Sequence, residues 1–228
     1  MGFAILVAAK GLGFPAFEIG LSEFPVLFLA AIRYDVALIL VGGYVFATDT
    51  DWKPTTRGDY LAIGSGGFFA FTLATALWGI GQELTTSTLA ALMSSLIPIL
   101  TAGISWLLIP EDRLSTIGII GLLMGFTGAL VILIPGTGLE FGPGMQGKIM
   151  MFIGVGFGAL GAVLIRWSKP SLPASSQTGW ALLLSAISLH AISLFVENPI
   201  ADSNVTIAGI MAVLFLGVVV SAIGRGVQ

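Results

Sequence analysis

The chain has 228 residues, of which 56% are hydrophobic and only 9% are charged, and its formal net charge is -3. Soluble domains carry about 25% charged residues, so this chain has too few charges to cover a water-facing surface. The weak negative charge also argues against a nucleic-acid partner, because nucleic-acid binding needs clustered Lys and Arg.

Cysteine is absent and histidine occurs once. The missing thiols exclude disulfides and thiolate metal ligands, and one histidine cannot make a histidine-rich metal site. We therefore expect no metal and no cofactor.

Long apolar runs that do not alternate with polar residues predict an all-α membrane protein. A hydrocarbon core about 30 Å thick is crossed by about 20 apolar residues in a helix. Lipid offers no hydrogen bonds to the backbone, so a spanning segment must be a helix or part of a closed barrel. The sequence predicts eight spans: Gly2–Ile19, Phe24–Phe46, Tyr60–Ile80, Thr86–Ile109, Thr116–Ile134, Gly147–Trp167, Gln177–Phe195 and Val205–Ala222.

The basic residues in the connections predict the orientation. Six of them fall on one side of the predicted bundle: Lys53, Arg57, Arg113, Arg166, Lys169 and Arg225. Only Lys148 falls on the other side. Cytoplasmic loops are enriched in Lys and Arg, so we expect a multi-pass protein of the cell membrane with both termini in the cytoplasm.

Three apparent nucleotide motifs lack the context that such sites need. Gly156 to Gly161 fits GxGxxG and Gly11 to Ala16 fits GxGxxA, but both lie in apolar helical runs without a preceding strand. Gly142 to Lys148 has P-loop spacing, yet Ile149 stands where Mg²⁺ binding needs Ser or Thr. Signatures of intramembrane proteases are also missing, so we expect neither an ATP-driven pump nor an enzyme.

The glycines of the later helices are better explained by helix packing. Gly118, Gly121, Gly125 and Gly128 form one stripe of the fifth helix, and Gly154 with Gly158 makes a GxxxG in the sixth. Small residues let helix backbones approach closely in lipid.

Several charged side chains fall inside predicted spans. Lys10 and Arg33 both lie close to the bilayer centre at 1.5 Å per residue, and charges there face partners or a wet cavity. We expect Lys10 to pair with Asp35, and Arg33 to face a cavity that attracts an anionic or zwitterionic solute. The alternative is that Arg33 only holds helix two to backbone carbonyls at a bend. His190 lies alone in the seventh helix.

The fourth and fifth helices carry a recognisable order of motifs. The run from Ser87 to Leu100 contains Pro98, Glu111 to Leu114 reads Glu-Asp-Arg-Leu, and the glycine stripe follows. Glu23-Phe24-Pro25 also leads into Ala30-Ala31-Ile32-Arg33-Tyr34 before them. This order resembles the EamA-like branch of the drug/metabolite transporter superfamily. The chain departs from the family pattern at Pro110 and Lys10, and only three helices of the second repeat are present.

The resemblance implies two five-helix repeats, and an odd number of helices requires the second repeat to be inverted. We expect a first repeat over 1–134, an outer linker over 135–146 and a partial second repeat over 147–228. Inverted repeats place a solute site near the bilayer centre, and Pro98 would free the carbonyl of Ser94 there.

The predicted function is secondary transport of a small metabolite or drug-like solute through a central cavity. Its candidate lining residues are Lys10, Arg33, Asp35, Ser94, Pro98 and His190. Lipid is the other expected partner, and we expect a second copy or another chain to complete the bundle. The alternative is a truncated, non-transporting membrane protein or an interaction partner.

Overall fold

The structure is a computed structural model that describes residues 2–48, 50–112, 114–133 and 143–223, with side chains over 11–48, 50–112, 114–128 and 144–219. Within these ranges the fold is all-α and contains no strand. Eight helical segments follow one another: α1 (Gly2–Leu21), α2 (Val26–Ala47), α3 (Arg57–Glu83), α4 (Ser87–Leu108), α5 (Thr116–Leu133), α6 (Pro143–Trp167), α7 (Ala174–Val196) and α8 (Ile207–Phe215, continued over Leu216–Ile223).

The described segments confirm the predicted membrane-protein fold. Five of them are long and apolar enough to cross a bilayer, and three shorter apolar helices accompany them within the described residues. The predicted starts were wrong by up to one turn, because local capping was not considered. Thr56 caps α3, where its hydroxyl accepts from the Asp59 N–H, and Pro173 precedes the first turn of α7. Pro143 opens α6, so the end of the predicted linker is helical.

Two helices contain wider, π-type turns, over Ser65–Leu73 in α3 and Leu216–Ile223 in α8. Such turns are rare and leave some backbone groups outside the ordinary i to i−4 ladder. In α3 the Thr72 hydroxyl donates to the Gly67 carbonyl at 2.8 Å, which satisfies one such carbonyl.

The hydrogen-bond ladder of helix α4 is interrupted near its middle, where Ser95 keeps helical backbone angles (φ −66°, ψ −15°). It runs as Ser87–Ser94 and Leu96–Leu108, with Ser95 between the two pieces. Pro98 has no N–H and its ring conflicts with the carbonyl four residues earlier, so the break falls where the sequence predicted the disturbance.

The helices pack in an arrangement that is similar in the two halves of the chain. α6 packs along α3, and α1 packs on α8; α7 packs on α3, and α2 packs on α8. α2 also packs along α7, and α5 packs on α4. If α1, α2 and α3 correspond to α6, α7 and α8, the contacts of α1 and α2 with α8 are the counterparts of the contacts of α6 and α7 with α3.

The connections gather at two ends of the bundle. At the first, here called the basic end, the connections 50–56, 109–112 and 168–173 meet. The Ser176 hydroxyl donates to the Asp51 carbonyl at 2.6 Å, and Arg166 bonds Asp112. At the second, the acidic end, the Asn204 N–H donates to the Glu23 carbonyl at 2.7 Å. Consecutive spans run in opposite directions, so their connections must lie alternately at these two ends.

Candidate functional site

A groove follows the second piece of α4 at the basic end. It is a shallow, open groove with a volume of about 670 Å³. Apolar side chains from α4, including Ile97 and Pro98, line one part of it, and Thr101 adds a hydroxyl. The groove begins just beyond the break at Ser95, so the interrupted helix and the groove belong to one feature.

The mouth of the groove carries an ion pair. Arg166, in the last turn of α6, bonds both carboxylate oxygens of Asp112, and its Nη2 lies 2.6 Å from Oδ1. The Ser105 hydroxyl donates to the same carboxylate. The hydrogen bond from Ser105, together with the Arg166 guanidinium, holds the pKa of Asp112 below its ordinary value. A bidentate pair of this kind fixes the connection 109–112 against α6.

A second cavity of about 470 Å³ adjoins the groove at the basic end. Glu111 and Arg166 line both spaces, and Trp167 and Lys169 complete the smaller one. The groove is therefore apolar along α4 and charged at its mouth, which suits a solute with an apolar body and a polar or charged head.

Polar and aromatic side chains meet where α1, α2 and α3 pack together. The Tyr34 and Thr75 hydroxyls lie 2.5 Å apart and are buried. On α3, the Trp78 indole N–H donates to Gln82 Oε1 at 3.2 Å, and Gln82 Nε2 donates to the Phe14 carbonyl at 3.3 Å. These bonds connect all three helices through side chains that could also hydrogen-bond a solute.

Arg33 lies against this cluster. Its guanidinium carbon is 5.2 Å from the centre of the Phe17 ring and 5.0 Å from that of Tyr34. A cation over aromatic faces is stabilised by the ring quadrupole, so Arg33 is held between α1 and α2. The described part of the chain does not place it on the groove.

Asp35 meets His190 across the interface between α2 and α7. Asp35 Oδ2 lies 2.8 Å from His190 Nε2, and the Phe28 ring stands edge-on to the imidazole with 5.9 Å between ring centres. The Lys10 side chain lies outside the described side chains, so its predicted pairing with Asp35 stays a prediction. The described partner of Asp35 is His190.

The grouping of the six predicted site residues around one cavity stays a prediction. Pro98 lines the groove, and Ser94 lies next to the helix break with its hydroxyl bonded to the Ala91 carbonyl at 2.6 Å. Asp35 and His190 form a pair elsewhere. Depth in the bilayer alone does not fix such a grouping, because residues at one depth can lie on opposite faces of a helix.

Sequence reasoning missed Ser105, Asp112 and Arg166. Topology carried a usable signal, because the connection after α4 and the last turn of α6 must lie at the same end of the bundle. An aspartate in the connection and an arginine in the last turn of α6 can therefore form an ion pair at that end. No group of three metal-ligating side chains occurs among the described residues.

Comparisons with known proteins identify the family of the chain. Residues 1–134 match the model of the EamA-like transporter family. The chain is similar to the uncharacterized transporter YyaM of Bacillus subtilis, with 28% identity over 86% of this chain and 64% of that protein. It is also similar to a chloroplastic WAT1-related protein of Arabidopsis thaliana, with 28% identity over 70% of this chain and 40% of that protein. The chain thus spans less than two thirds of either relative. No solved structure matches significantly.

Proposed function

Because the chain belongs to the EamA-like transporter family, we propose that it is a permease that moves a small metabolite or drug-like solute across the membrane. The family favours a transporter over an enzyme. Movement would be secondary, driven by a solute or ion gradient, since the nucleotide-like motifs lie in helical runs without strands.

The groove along α4 is the observation that carries the proposal. It combines an interruption of the helix at mid-span, an open apolar wall along α4 and a charged mouth at one end. In transporters, broken helices expose backbone groups near the bilayer centre where a solute can bind. The matching contacts of α1–α8 and α6–α3 support two structural repeats, and an odd number of helices in the first repeat would invert the second.

We further propose that the basic end is cytoplasmic. The described basic side chains there are Lys53, Arg57, Arg166 and Lys169, against Lys148 near the acidic end. Such a bias sets orientation. The expectation that a second copy or another chain completes the bundle stays a prediction; on α5, a side chain at Gly121 would meet nothing within 4 Å.

The test is solute flux by the full chain in proteoliposomes, measured with a panel of labelled metabolites. Thr101→Trp places a large ring in the groove, and Leu107→Trp adds the same ring to the same helix at a side chain that is 74% exposed. We expect Thr101→Trp to lower flux at least about tenfold, the effect of a clash near 1.4 kcal/mol at the site, while Leu107→Trp transports normally. Equal flux in both variants would rule out the groove. No flux of any solute would favour the non-transporting alternative.

A further inference from the structure

The Asp35–His190 pair joins the two halves of the chain inside the membrane. Asp35 lies about 14 Å along α2 from its start at the acidic end, at 1.5 Å per residue. His190 lies about 9 Å along α7 from its end on the same side. Both positions fall inside a hydrocarbon core about 30 Å thick, where an ionisable side chain is costly and marks a functional site by default.

The geometry fixes how this pair would take up a proton. An ionised carboxylate only accepts hydrogen bonds, so the Nε2 that faces Asp35 at 2.8 Å carries a hydrogen. The Nδ1 lone pair remains to accept a proton from water. Before uptake the pair carries one negative charge, and after uptake its net charge is zero. The reverse step returns the proton to water.

Apolar groups surround the pair. Next to the pair, Phe28 presents a ring edge, and the outward faces of α2 and α7 carry Ile39 and Ile187, which are 72% and 60% exposed. A net charge among such groups is poorly solvated. The pair itself is not enclosed by protein, since the two side chains are 43% and 36% exposed.

Two other charged groups on the packed elements have described contacts away from the pair, and the Lys10 side chain lies outside the described side chains. Arg33 lies over Phe17 and Tyr34, and Glu197 accepts bonds from the Leu27 and Phe28 N–H groups and from Ser193. The described part of α8 has no charged residue. The remaining charged residues of these elements are Lys10 and Glu18 in α1 and Arg57, Asp59 and Glu83 at the ends of α3.

We propose that Asp35 and His190 form an intramembrane proton-binding site that takes up one proton per chain and strengthens the contact between α2 and α7. The proton is shared within the pair, so the site is the pair and not either residue alone. Proton binding stabilises the contact between α2 and α7 at lower pH, and this stabilisation is lost as the pH rises. The inference does not depend on transport activity, and it stands or falls separately from the proposed function.

The composition makes the test unusually clean. The chain has one histidine and no cysteine, so between pH 5.5 and 7.0 the imidazole is the side chain whose ordinary titration range is crossed. We expect the apparent Tm of the full chain in lipid nanodiscs to rise by about 2–4 °C from pH 7.0 to 5.5. His190→Gln and Asp35→Asn should each abolish the rise. Ser188→Ala, on the same helix, should keep it. An equal rise in wild type and His190→Gln would overturn the proposal, and so would an undiminished rise in Asp35→Asn.

A second measurement does not rely on variants that fold. ¹⁵N-histidine labelling gives signals from a single imidazole in the wild-type chain. We expect the Nδ1 signal to change from an unprotonated to a protonated nitrogen over pH 8 to 5, while Nε2 stays protonated. An imidazole that stays in one protonation state over this range would overturn the proposal.

Discussion

The Asp59 carboxylate lies 2.8 Å from the backbone nitrogen of Ser171, although 112 residues separate them in the chain. The same buried carboxylate accepts from the Leu172 N–H at 2.9 Å and from the N–H groups of Thr55 and Thr56 at 3.0 and 2.8 Å. Asp59 therefore ties the start of α3 to the connection that enters α7. A Cβ on the neighbouring Gly58 would stand 2.5 Å from the Ser168 carbonyl, which shows how closely the two segments approach.

Replacing Asp59 with Asn is expected to weaken this joint. Asn has an NH₂ group in place of one carboxylate oxygen, so some of the backbone N–H groups that donate to Asp59 would face another donor. An unsatisfied buried donor destabilises the fold. We expect the apparent Tm of Asp59→Asn to fall by about 4–8 °C. Thermal unfolding in detergent measures this, with the exposed Asp51→Asn as the matched control at the same end. Equal melting of the two variants would show that the carboxylate is dispensable.

The contact between α3 and α6 depends on one glycine in particular. A Cβ at Gly161 would lie 2.5 Å from the Ala70 nitrogen and 2.9 Å from its Cα, and backbone atoms cannot move aside. Gly161→Ala should therefore force the helices apart and lower stability by about 1–3 kcal/mol, as overpacking does.

Gly156→Ala is the control for that change. It adds the same methyl group to the same helix, where nothing lies within 4 Å. We expect it to unfold like the wild type. If Gly156→Ala lowered the stability as much as Gly161→Ala, the lost stability would be an effect of replacing any glycine in this helix and not of the contact with Ala70.

These glycines show where sequence reasoning succeeded and where it failed. The eight helical segments could be predicted, because lipid imposes length and apolarity on membrane helices. Gly154 was correctly assigned to packing, since its Cβ would approach the Ala74 carbonyl at 2.9 Å, but Gly161 and not Gly158 makes the closest contact on α6. On α5, Gly125 meets Ile99 while Gly121 and Gly128 meet nothing within 4 Å. Spacing gives a face of a helix, and only the neighbouring helix decides whether that face is covered.

The candidate site was harder to predict for a related reason. The break in α4 follows from the chemistry of Pro98 alone, so the sequence located it. The Asp35–His190 pair joins residues 155 positions apart, and it depends on the rotation of α2 and α7 about their axes. Neither apolar helix carries a polar stripe that would fix this rotation.

Water should reach the groove along α4. The chain has no cysteine, so Thr101→Cys introduces one thiol at the groove and Met124→Cys introduces one on α5 at a side chain that is 71% exposed. Methanethiosulfonate reagents react with ionised thiols in water. We expect Thr101→Cys to react at least about tenfold faster, because a thiolate is strongly disfavoured in hydrocarbon. Comparable rates would mean that the groove is filled by lipid.

The Asp112–Arg166 pair should contribute only above acid pH. The lowered pKa of Asp112 means that folding favours its ionised form, so the stabilisation is present above the ordinary aspartate range, about pH 4, and is lost as the pH falls through the lowered pKa. The Tm difference between wild type and Asp112→Asn should be small, about 1–3 °C, because Arg166 is exposed. It should persist at pH 5 and shrink at pH 3. The exposed Glu111→Gln should show no such difference at pH 5.

The orientation can be tested with two single thiols at opposite ends. Lys53→Cys lies in the connection between α2 and α3, and Asp202→Cys lies between α7 and α8; both positions are exposed. Because Lys and Arg concentrate on the cytoplasmic side, we expect an impermeant maleimide to label Asp202→Cys in intact cells and to label Lys53→Cys only after permeabilisation. An even number of spans then places both termini in the cytoplasm. Labelling of Lys53→Cys from outside would invert the bundle and place the mouth of the groove, with Asp112 and Arg166, on the outer face.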